Sequence, residues 1–526
     1  MKMKQYYLTK IAFVSLLFFS THLCTAKLRC ASFFGSNMVL QRECKAAIWG
    51  WAEPHEKIKL TASWGAKAEA TADDQGAWKL HVQTPKAGGS YTLSIQGATT
   101  LRFENVMSGD VWFCAGQSNM FSQMKRYYSA DRVAQEANAS KIRLFRSPTE
   151  SDTVDRTDVE ATWTLSNVSD VAEFSATGYF FGRRLEESLK ENVPIGLIQS
   201  AWGGRLIESF IPWEHIKDDN YVHQLRKKAI TQAKNYDKAK EEQRFKLLDA
   251  KWKADYNKWK KEGSKGVAPK RAKFKTNPIY AGNFAGGTYS AIIHPFLGLS
   301  IKGVIWYQGE ANSKKIKGGG SATDYHRLLT RMIGLWRKEW GIGDFPFYFV
   351  QLPNCYKKWS KAVELEEPWA YTRESMRKTV FKVPNTGMAV TLGLGEADNV
   401  HPHKKQEVGD RLAFWALKNQ YHQNIPWTGP LAKSCQFKKD KAIITFENGG
   451  ADLTFGSETA NGFAIVDKQG KIVKAKAKII APNQLEISAA GIGDLKTVYY
   501  AWANNPEGAN LKNKADLPAS PFRFDK

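Results

Sequence analysis

Hydrophobic and polar positions along this chain fall into three patterns. From residue 27 to about 105, short runs alternate apolar with polar residues, as in Ile58 and Leu60 and then Tyr91, Leu93 and Ile95. A period of two marks half-buried strands, and Asp74-Gln75-Gly76 and Gly88-Gly89 supply turns between them. The same style returns from about 428 to 526, in Ala442 to Phe446, Phe463 to Val466 and Val498 to Trp502, with a turn at Lys468-Gln469-Gly470. Between these regions lie unbroken apolar runs: Val111-Trp112-Phe113, Ile195 to Ile198, Val304 to Tyr307, Phe347 to Val350 and Met388 to Thr391. They alternate with helical patterns at 175–190, 323–340 and 404–420. Strands that are apolar on both faces and separated by helices predict a parallel sheet with helices on either side. The fold class expected is therefore α/β. An α/β/α domain over 106–427 is flanked by an N-terminal β-domain at 27–105 and a C-terminal β-domain at 428–526, each a β-sandwich-like module.

One stretch breaks the alternation. Residues 217–275 carry 19 Lys and Arg against 8 Asp and Glu, a net charge of +11. Phe245, Leu248, Trp252, Tyr256 and Trp259 recur at helical spacing within it, so it reads as a basic, amphipathic helical insertion. Such a helix suits an acidic glycan or nucleic acid. The plainer reading docks the aromatics on the domain and leaves the lysines in water.

Composition narrows the class. The 526 residues are 43% hydrophobic and 24% charged, which excludes disorder, a collagen-like repeat and a small disulfide scaffold. The formal charge of +24 favours anionic partners without choosing among them. Lys2, Lys4 and Lys10, the apolar run Ile11 to Phe19 and the small-residue site Cys24-Thr25-Ala26 read as a cleavable signal peptide over 1–26. No later apolar run is long enough to cross a bilayer, so no stable membrane insertion is expected. A secreted chain meets little nucleic acid, which is not expected as a partner either. The five remaining cysteines, Cys30, Cys44, Cys114, Cys355 and Cys435, are widely spaced. That is neither a disulfide framework nor a metal site, and single thiols are expected. Few cysteines and many lysines point to a secreted or periplasmic protein, with a bacterial periplasm as the address.

In a parallel sheet, ligands bind where the strands end, so the loops after the apolar runs are the place to look for chemistry. Strand Val111 to Phe113 runs into Cys114-Ala115-Gly116-Gln117-Ser118-Asn119-Met120, which places the Ser118 hydroxyl at the sheet edge. Gly116 permits a tight turn there, and a following helix aims backbone N–H groups at an anion. Serine is a poor nucleophile without a base. The loop after Met388 to Thr391 offers one in Asp398-Asn399-Val400-His401-Pro402. A carboxylate three residues from an imidazole can orient it and stabilise its protonated form. His403 is a competing base two residues on. Trp202-Gly203-Gly204-Arg205 and Trp306-Tyr307-Gln308-Gly309-Glu310-Ala311-Asn312 follow two further strands. Their glycine amides and the Gln308 carboxamide are candidate oxyanion donors, each worth ~3 kcal/mol where the oxyanion forms. Glu310 is expected to be a buried carboxylate that orients its loop.

Together these blocks resemble the ordered motifs of the sialate O-acetylesterases, members of the SGNH-type hydrolase group. The resemblance extends to Ser36-Asn37-Met38-Val39-Leu40-Gln41-Arg42 near the start. Near the end it includes Tyr500-Ala501-Trp502-Ala503-Asn504-Asn505-Pro506 and Leu517-Pro518-Ala519-Ser520-Pro521-Phe522-Arg523. It implies an SGNH, flavodoxin-like α/β/α hydrolase domain and a serine carboxylic-ester hydrolase that removes O-acetyl groups from sialic acids through an acetyl-enzyme. Ser118 is then the nucleophile, His401 the base and Asp398 its orienting acid. The Ser118 N–H, Gly204 or Gly203, and Gln308 form the oxyanion hole. Apart from the resemblance, Arg205, Glu310 and Asn312 are candidate contacts to the acetylated sugar, and Arg205 can either pair with a sugar carboxylate by its planar fork or equally brace Glu310 or another carboxylate. No metal or cofactor is implied. Two positions depart from the family pattern: Phe121-Ser122 stand where an acidic residue and Trp often follow, and Arg205 where Thr commonly follows the paired glycines. Both bear on the choice of sugar. The alternatives are an acetylesterase for acetylated xylan or another plant glycan and, from a different class, a non-catalytic glycan-binding protein.

Overall fold

The computed structural model describes residues 27–138, 141–189, 192–281, 283–361, 363–447, 449 and 451–526. The signal peptide expected over 1–26 lies outside the described residues. The central sheet uses seven strands: β1 (Thr100–Gly116), β2 (Arg143–Arg146), β3 (Trp163–Leu165), β4 (Ile195–Ala201), β5 (Gly303–Tyr307), β6 (Phe347–Val350) and β7 (Thr386–Ala389). Their order is β3-β2-β4-β1-β5-β6-β7. Every pairing is parallel except that of β3 with β2 at one edge.

The unbroken apolar runs have a direct cause. Neighbouring residues on a strand point to opposite faces, and in β1 both directions are covered. Trp112 meets Phe181 and Tyr348 on one side, while Phe113 meets Trp336 and Trp340 on the other. The helices that supply these rings, and those that frame the site, are α1 (Ser118–Phe121), α2 (Ala176–Ser188), α3 (Asn220–Lys234), α4 (Lys238–Lys261), α5 (Tyr325–Trp340), α6 (Pro368–Lys382) and α7 (Lys405–Asn419). Phe181 belongs to α2, and Trp336 and Trp340 to α5.

The flanking regions are antiparallel. The strands Arg29–Cys30, Lys45–Trp51 and Ala77–Gln83 form one small sheet. Strand Gly88–Gln96 pairs with the first half of β1, so the boundary expected at 105 falls inside a single strand, β1. Toward the C-terminus, two four-stranded antiparallel sheets use Leu431–Phe437 with Lys441–Glu447, and Phe463–Asp467 with Leu495–Tyr500.

The basic insertion is two helices, α3 and α4. The aromatics of α4 pack within the insertion, whereas Tyr221 of α3 packs against the main core. Phe245 meets Phe274, Trp252 stacks on Tyr256, and the Trp252 and Trp259 indoles donate to the carbonyls of Pro269 and Lys265. The returning chain supplies these partners, which helical spacing alone does not reveal. Among the described residues, no helix is long and apolar enough to cross a membrane. Cys30, Cys44, Cys114, Cys355 and Cys435 are free thiols.

At the C-terminal edge of the sheet, Gly116 of β1 lies in register with Ala201 of β4 and Tyr307 of β5. Gly116 has φ of +136°, and a methyl group added there would lie 2.2 Å from the Tyr307 carbonyl oxygen. Backbone and neighbour both demand glycine. Gly116→Ala therefore lowers the thermal unfolding midpoint, by the equivalent of about 2 kcal/mol or more. An unchanged melting curve would contradict this packing.

Candidate active site

The three level strand ends send their loops into one place. After Gly116, the Gln117 N–H donates to the Tyr307 carbonyl (2.8 Å), and the Trp202 N–H donates to the Gly116 carbonyl (3.0 Å). Ser118 then opens α1, half-exposed on a helix whose other early residues, Asn119 and Met120, are buried. The fourth loop starts at β7, three strands from β1, a separation of roughly 15 Å at normal strand spacing. The dozen residues from Val390 to His401 cover it easily. They bring His401 Nε2 to 2.8 Å from Ser118 Oγ.

Asn119 fastens that loop. Its carboxamide N–H groups donate to the Val400 carbonyl (2.9 Å), next to His401, and to Glu310 Oε1, while its oxygen accepts from Lys405 Nζ. One side chain on α1 thus joins the β5 loop, the histidine loop and the start of α7. Lys405 is fully buried, with its ammonium 4.9 Å from the centre of the Tyr127 ring. Burial lowers its pKa to about 7, against the opposing pull of Glu310. Glu310 is pushed above the usual carboxylate range by its own burial, with Asn119 and Lys405 opposing. The two charges form no direct ion pair, and Asn119 stands between them. His401 is lowered to about 4, first by burial and then by the positive charges of Arg126 and Lys405. A neutral imidazole against a serine hydroxyl can accept its proton.

The other expected residues divide into two groups. Gly203 lies against the serine: a methyl group added there would sit 3.4 Å from Ser118 Cβ and 4.0 Å from its nitrogen. Gly204 follows with φ of +74°. The N–H groups of Ser118, Gly203 and Gly204 make no hydrogen bond among the described residues, so they are open to an oxyanion. Gln308 is not. It is fully buried, and its amide nitrogen donates to Asn312 Oδ1 (2.8 Å) and the Arg205 carbonyl (2.9 Å), with Gln117 Oε1 at 3.3 Å. Its role is to tie loops together, which corrects its expected place among the donors. Asn312 is buried too, donating to Glu208 and Gly320 and accepting from the Ile207 N–H. The Asn312 side chain is thus used up in contacts between loops, and Glu310 is held by Asn119.

The expected hydrogen bond between Asp398 and His401 is absent. Asp398 is exposed and makes no hydrogen bond or ion pair among the described residues. The loop is shaped instead by Asn399, which accepts from the His401 N–H and donates to the His401 carbonyl (both 2.9 Å). Glu396, a residue without an expected role, accepts from Asn399 and from the His403 N–H, with His403 Nδ1 at 2.9 Å. His403 is thereby held away from the serine. Arg205 does not brace Glu310. It folds over Trp202, 4.0 Å from the ring centre, and donates from Nε to the Gly203 carbonyl (2.9 Å). Asn119, Lys405 and Arg126 were not legible as site residues, because each acts through a partner far away in the chain. No group of three or more His, Cys, Asp or Glu side chains suited to a metal occurs among the described residues.

Comparison with known proteins places this geometry in context. The family model described as "Carbohydrate esterase, sialic acid-specific acetylesterase" matches residues 108–241 and 287–418. It passes over 242–286, which includes nearly all of α4. The sialate O-acetylesterase of Mus musculus is 28% identical, with 94% of each chain covered. That of Homo sapiens is 27% identical over 94% of this chain and 92% of its own. Among solved structures, a carbohydrate acetylesterase from Xanthomonas citri superposes with a TM-score of 0.76 at 29% identity, covering 95% of this chain and 99% of that one. The curated relatives come from mouse, rat, orangutan and human. This overturns the expected bacterial periplasmic address, which rested on cysteine count and charge, and neither property records ancestry.

The electrostatics yield a pH test. Neutral His401 is the form that can take the serine proton, so activity that depends on this pair is present above the His401 pKa and is lost as the pH falls through it. Arg126 is exposed, and Arg126→Gln removes a positive charge that discourages protonation of the ring. The acid limb of the kcat/KM profile then moves to higher pH, by a fraction of a unit because an exposed charge is screened. A limb that stays in place, or moves to lower pH, contradicts this assignment.

Proposed function

This chain belongs to the carbohydrate esterase family of sialic acid-specific acetylesterases, and from that premise we propose that it removes O-acetyl groups from sialic acids by a serine mechanism. The observation that carries the mechanism is the 2.8 Å approach of His401 Nε2 to Ser118 Oγ at the edge of the sheet. Ser118 Oγ attacks the acetyl carbonyl carbon while its proton passes to His401. The resulting oxyanion rests against the free N–H groups of Ser118, Gly203 and Gly204. As the carbonyl re-forms, the sugar oxygen leaves with the proton from His401, and the acetyl group stays on Ser118. Water, deprotonated by His401, then attacks the acetyl carbon and releases acetate, restoring the serine.

We assign Asp398 the role of steadying the imidazolium in this cycle. What supports it is that the Asp398 carboxylate and His401 Nδ1 are both without hydrogen bonds among the described residues, on one loop and three residues apart. The role requires the Asp398 side chain to turn toward the ring. The α/β/α region is assigned to the SGNH, flavodoxin-like type, supported by its parallel strand order with the nucleophile at the end of central β1. The regions 27–105 and 428–526 are assigned as accessory β-modules. A glycan-binding protein without catalysis gains nothing from a serine, an imidazole and free amides gathered at one point, which counts against that alternative.

Ser118→Ala abolishes acetate release from 4-nitrophenyl acetate, a loss of roughly 10³-fold or more, with an unchanged circular dichroism spectrum. Retained turnover rejects the serine mechanism. Asp398→Asn lowers kcat by about tenfold or more, and an unaltered kcat removes Asp398 from the mechanism. Across 9-O-acetylated sialic acid, acetylated xylan and acetylated glucomannan, the sialic acid is deacetylated with the highest kcat/KM. Preference for either plant glycan contradicts the proposed substrate.

A further inference from the structure

Arg205 lies three residues beyond Trp202, at the turn that presents Gly203 to the nucleophile. Its side chain is anchored on one side only. Nε donates to the Gly203 carbonyl (2.9 Å), Nη1 donates to the Ala281 carbonyl, and the guanidinium plane rests on the Trp202 ring at 4.0 Å. Nη2, with two donor hydrogens, makes no hydrogen bond among the described residues. Among the described residues no carboxylate lies within ion-pair distance, and burial with no offsetting negative charge lowers the Arg205 pKa to about 10. The group therefore remains a cation at neutral pH.

A half-buried guanidinium that lacks an anion is costly unless its donors are used. Two buried arginines come close to that. Arg373, also without a carboxylate, donates to the carbonyls of Leu352, Pro353, Ala503 and Asn504, and Arg337 donates to those of Phe345, Pro384 and Asn385. Those two arginines are structural. Arg205 keeps one end of its fork free, as Arg226 and Arg411 also do with a single carbonyl acceptor each, but of these three it is the one at a half-exposed position on the same short turn as the glycine beside Ser118. Anchors on Trp202, Gly203 and Ala281 hold the fork in one orientation, so little side-chain entropy is lost when a ligand binds.

We propose that Arg205 is the receptor for the carboxylate of an acidic sugar, and that it selects acidic over neutral acetylated sugars at this site. A planar carboxylate matches the free end of the guanidinium and supplies the missing negative charge. The acetyl ester of the same sugar is then presented to Ser118 across the Gly203 turn. The inference rests on the acetylesterase reading above and adds the residue that recognises the sugar's charge.

The test compares 9-O-acetylated sialic acid with its C1 amide, which keeps the acetyl ester and removes the charge. The full-length protein prefers the acid by roughly tenfold or more in kcat/KM, the size of one charge-assisted contact, and the difference appears mainly in KM. In Arg205→Gln the preference falls to about one. In Arg205→Lys, which keeps a cation but loses the fork, it is intermediate. Thermal midpoints of both variants report on folding, and the comparison in the unaltered protein stands even if a variant fails to fold. Equal kcat/KM for acid and amide in the unaltered protein, or an undiminished preference in Arg205→Gln, overturns the proposal while leaving the esterase reading intact. Absence of acetate release from both compounds, with turnover of acetylated xylan, overturns the sialic acid reading and this proposal with it.

Discussion

The structure depends on three parallel strands that end level with one another. β1, β4 and β5 stop at Gly116, Ala201 and Tyr307, paired side by side. Parallel strands all point their carboxyl ends to one edge, so the chain segments that leave them are neighbours before any side chain is chosen. Gly116 is the pivot. Its φ and the nearness of the Tyr307 carbonyl exclude any other residue, and the turn it allows puts Ser118 at the head of a short helix. The proposed nucleophile is thus positioned by main chain, which is stiffer than any arrangement of side chains.

Bringing His401 to that serine requires a long loop from the edge of the sheet, and loops are mobile unless fastened. The fastening is a buried polar cluster around Asn119. An ammonium, a carboxylate and a backbone carbonyl converge on one carboxamide. Burying Lys405 and Glu310 carries a desolvation penalty of several kcal/mol per charge before compensation. The return is an imidazole, the proposed base, held in place and kept neutral, since the positive charges of Lys405 and Arg126 oppose protonation of the ring. Stability at this spot is exchanged for preorganisation, as expected of a catalytic centre.

Much of this arrangement is legible in the sequence, and the parts that are not have a common cause. Apolar runs such as Val304 to Tyr307 announce strands buried on both faces, because no other element needs that pattern. The positions of Ser118, Gly203 and His401 follow from their places after such strands. Side-chain partnership does not follow. Gln308 looks like a donor aimed at substrate, yet Asn312 and the Arg205 carbonyl use its N–H groups. Asp398 stands at the right interval from His401, but Asn399 sets the local turn and leaves Asp398 in water. Lys405 reads as an ordinary charge in the first turn of α7, and it is Asn119 of α1, 286 residues away in sequence, with the Tyr127 and Tyr307 rings, that makes it a buried one. The aromatics of α4 mislead in the same way, since Phe274 and the Pro269 and Lys265 carbonyls lie on the irregular chain that returns after the helix. Period and spacing report which elements form; hydrogen-bond partners depend on elements that arrive from elsewhere.

The claim at the centre of this account is that one serine, activated by one imidazole, forms the covalent intermediate. The most direct measurement is the reaction of the purified protein with a fluorophosphonate, followed by peptide mapping of the adduct. The account predicts stoichiometric inactivation with the label on Ser118, slowed by an acetylated sugar substrate and lost in His401→Ala. Full esterase activity after exposure, or inactivation with the label on a different residue, would contradict it.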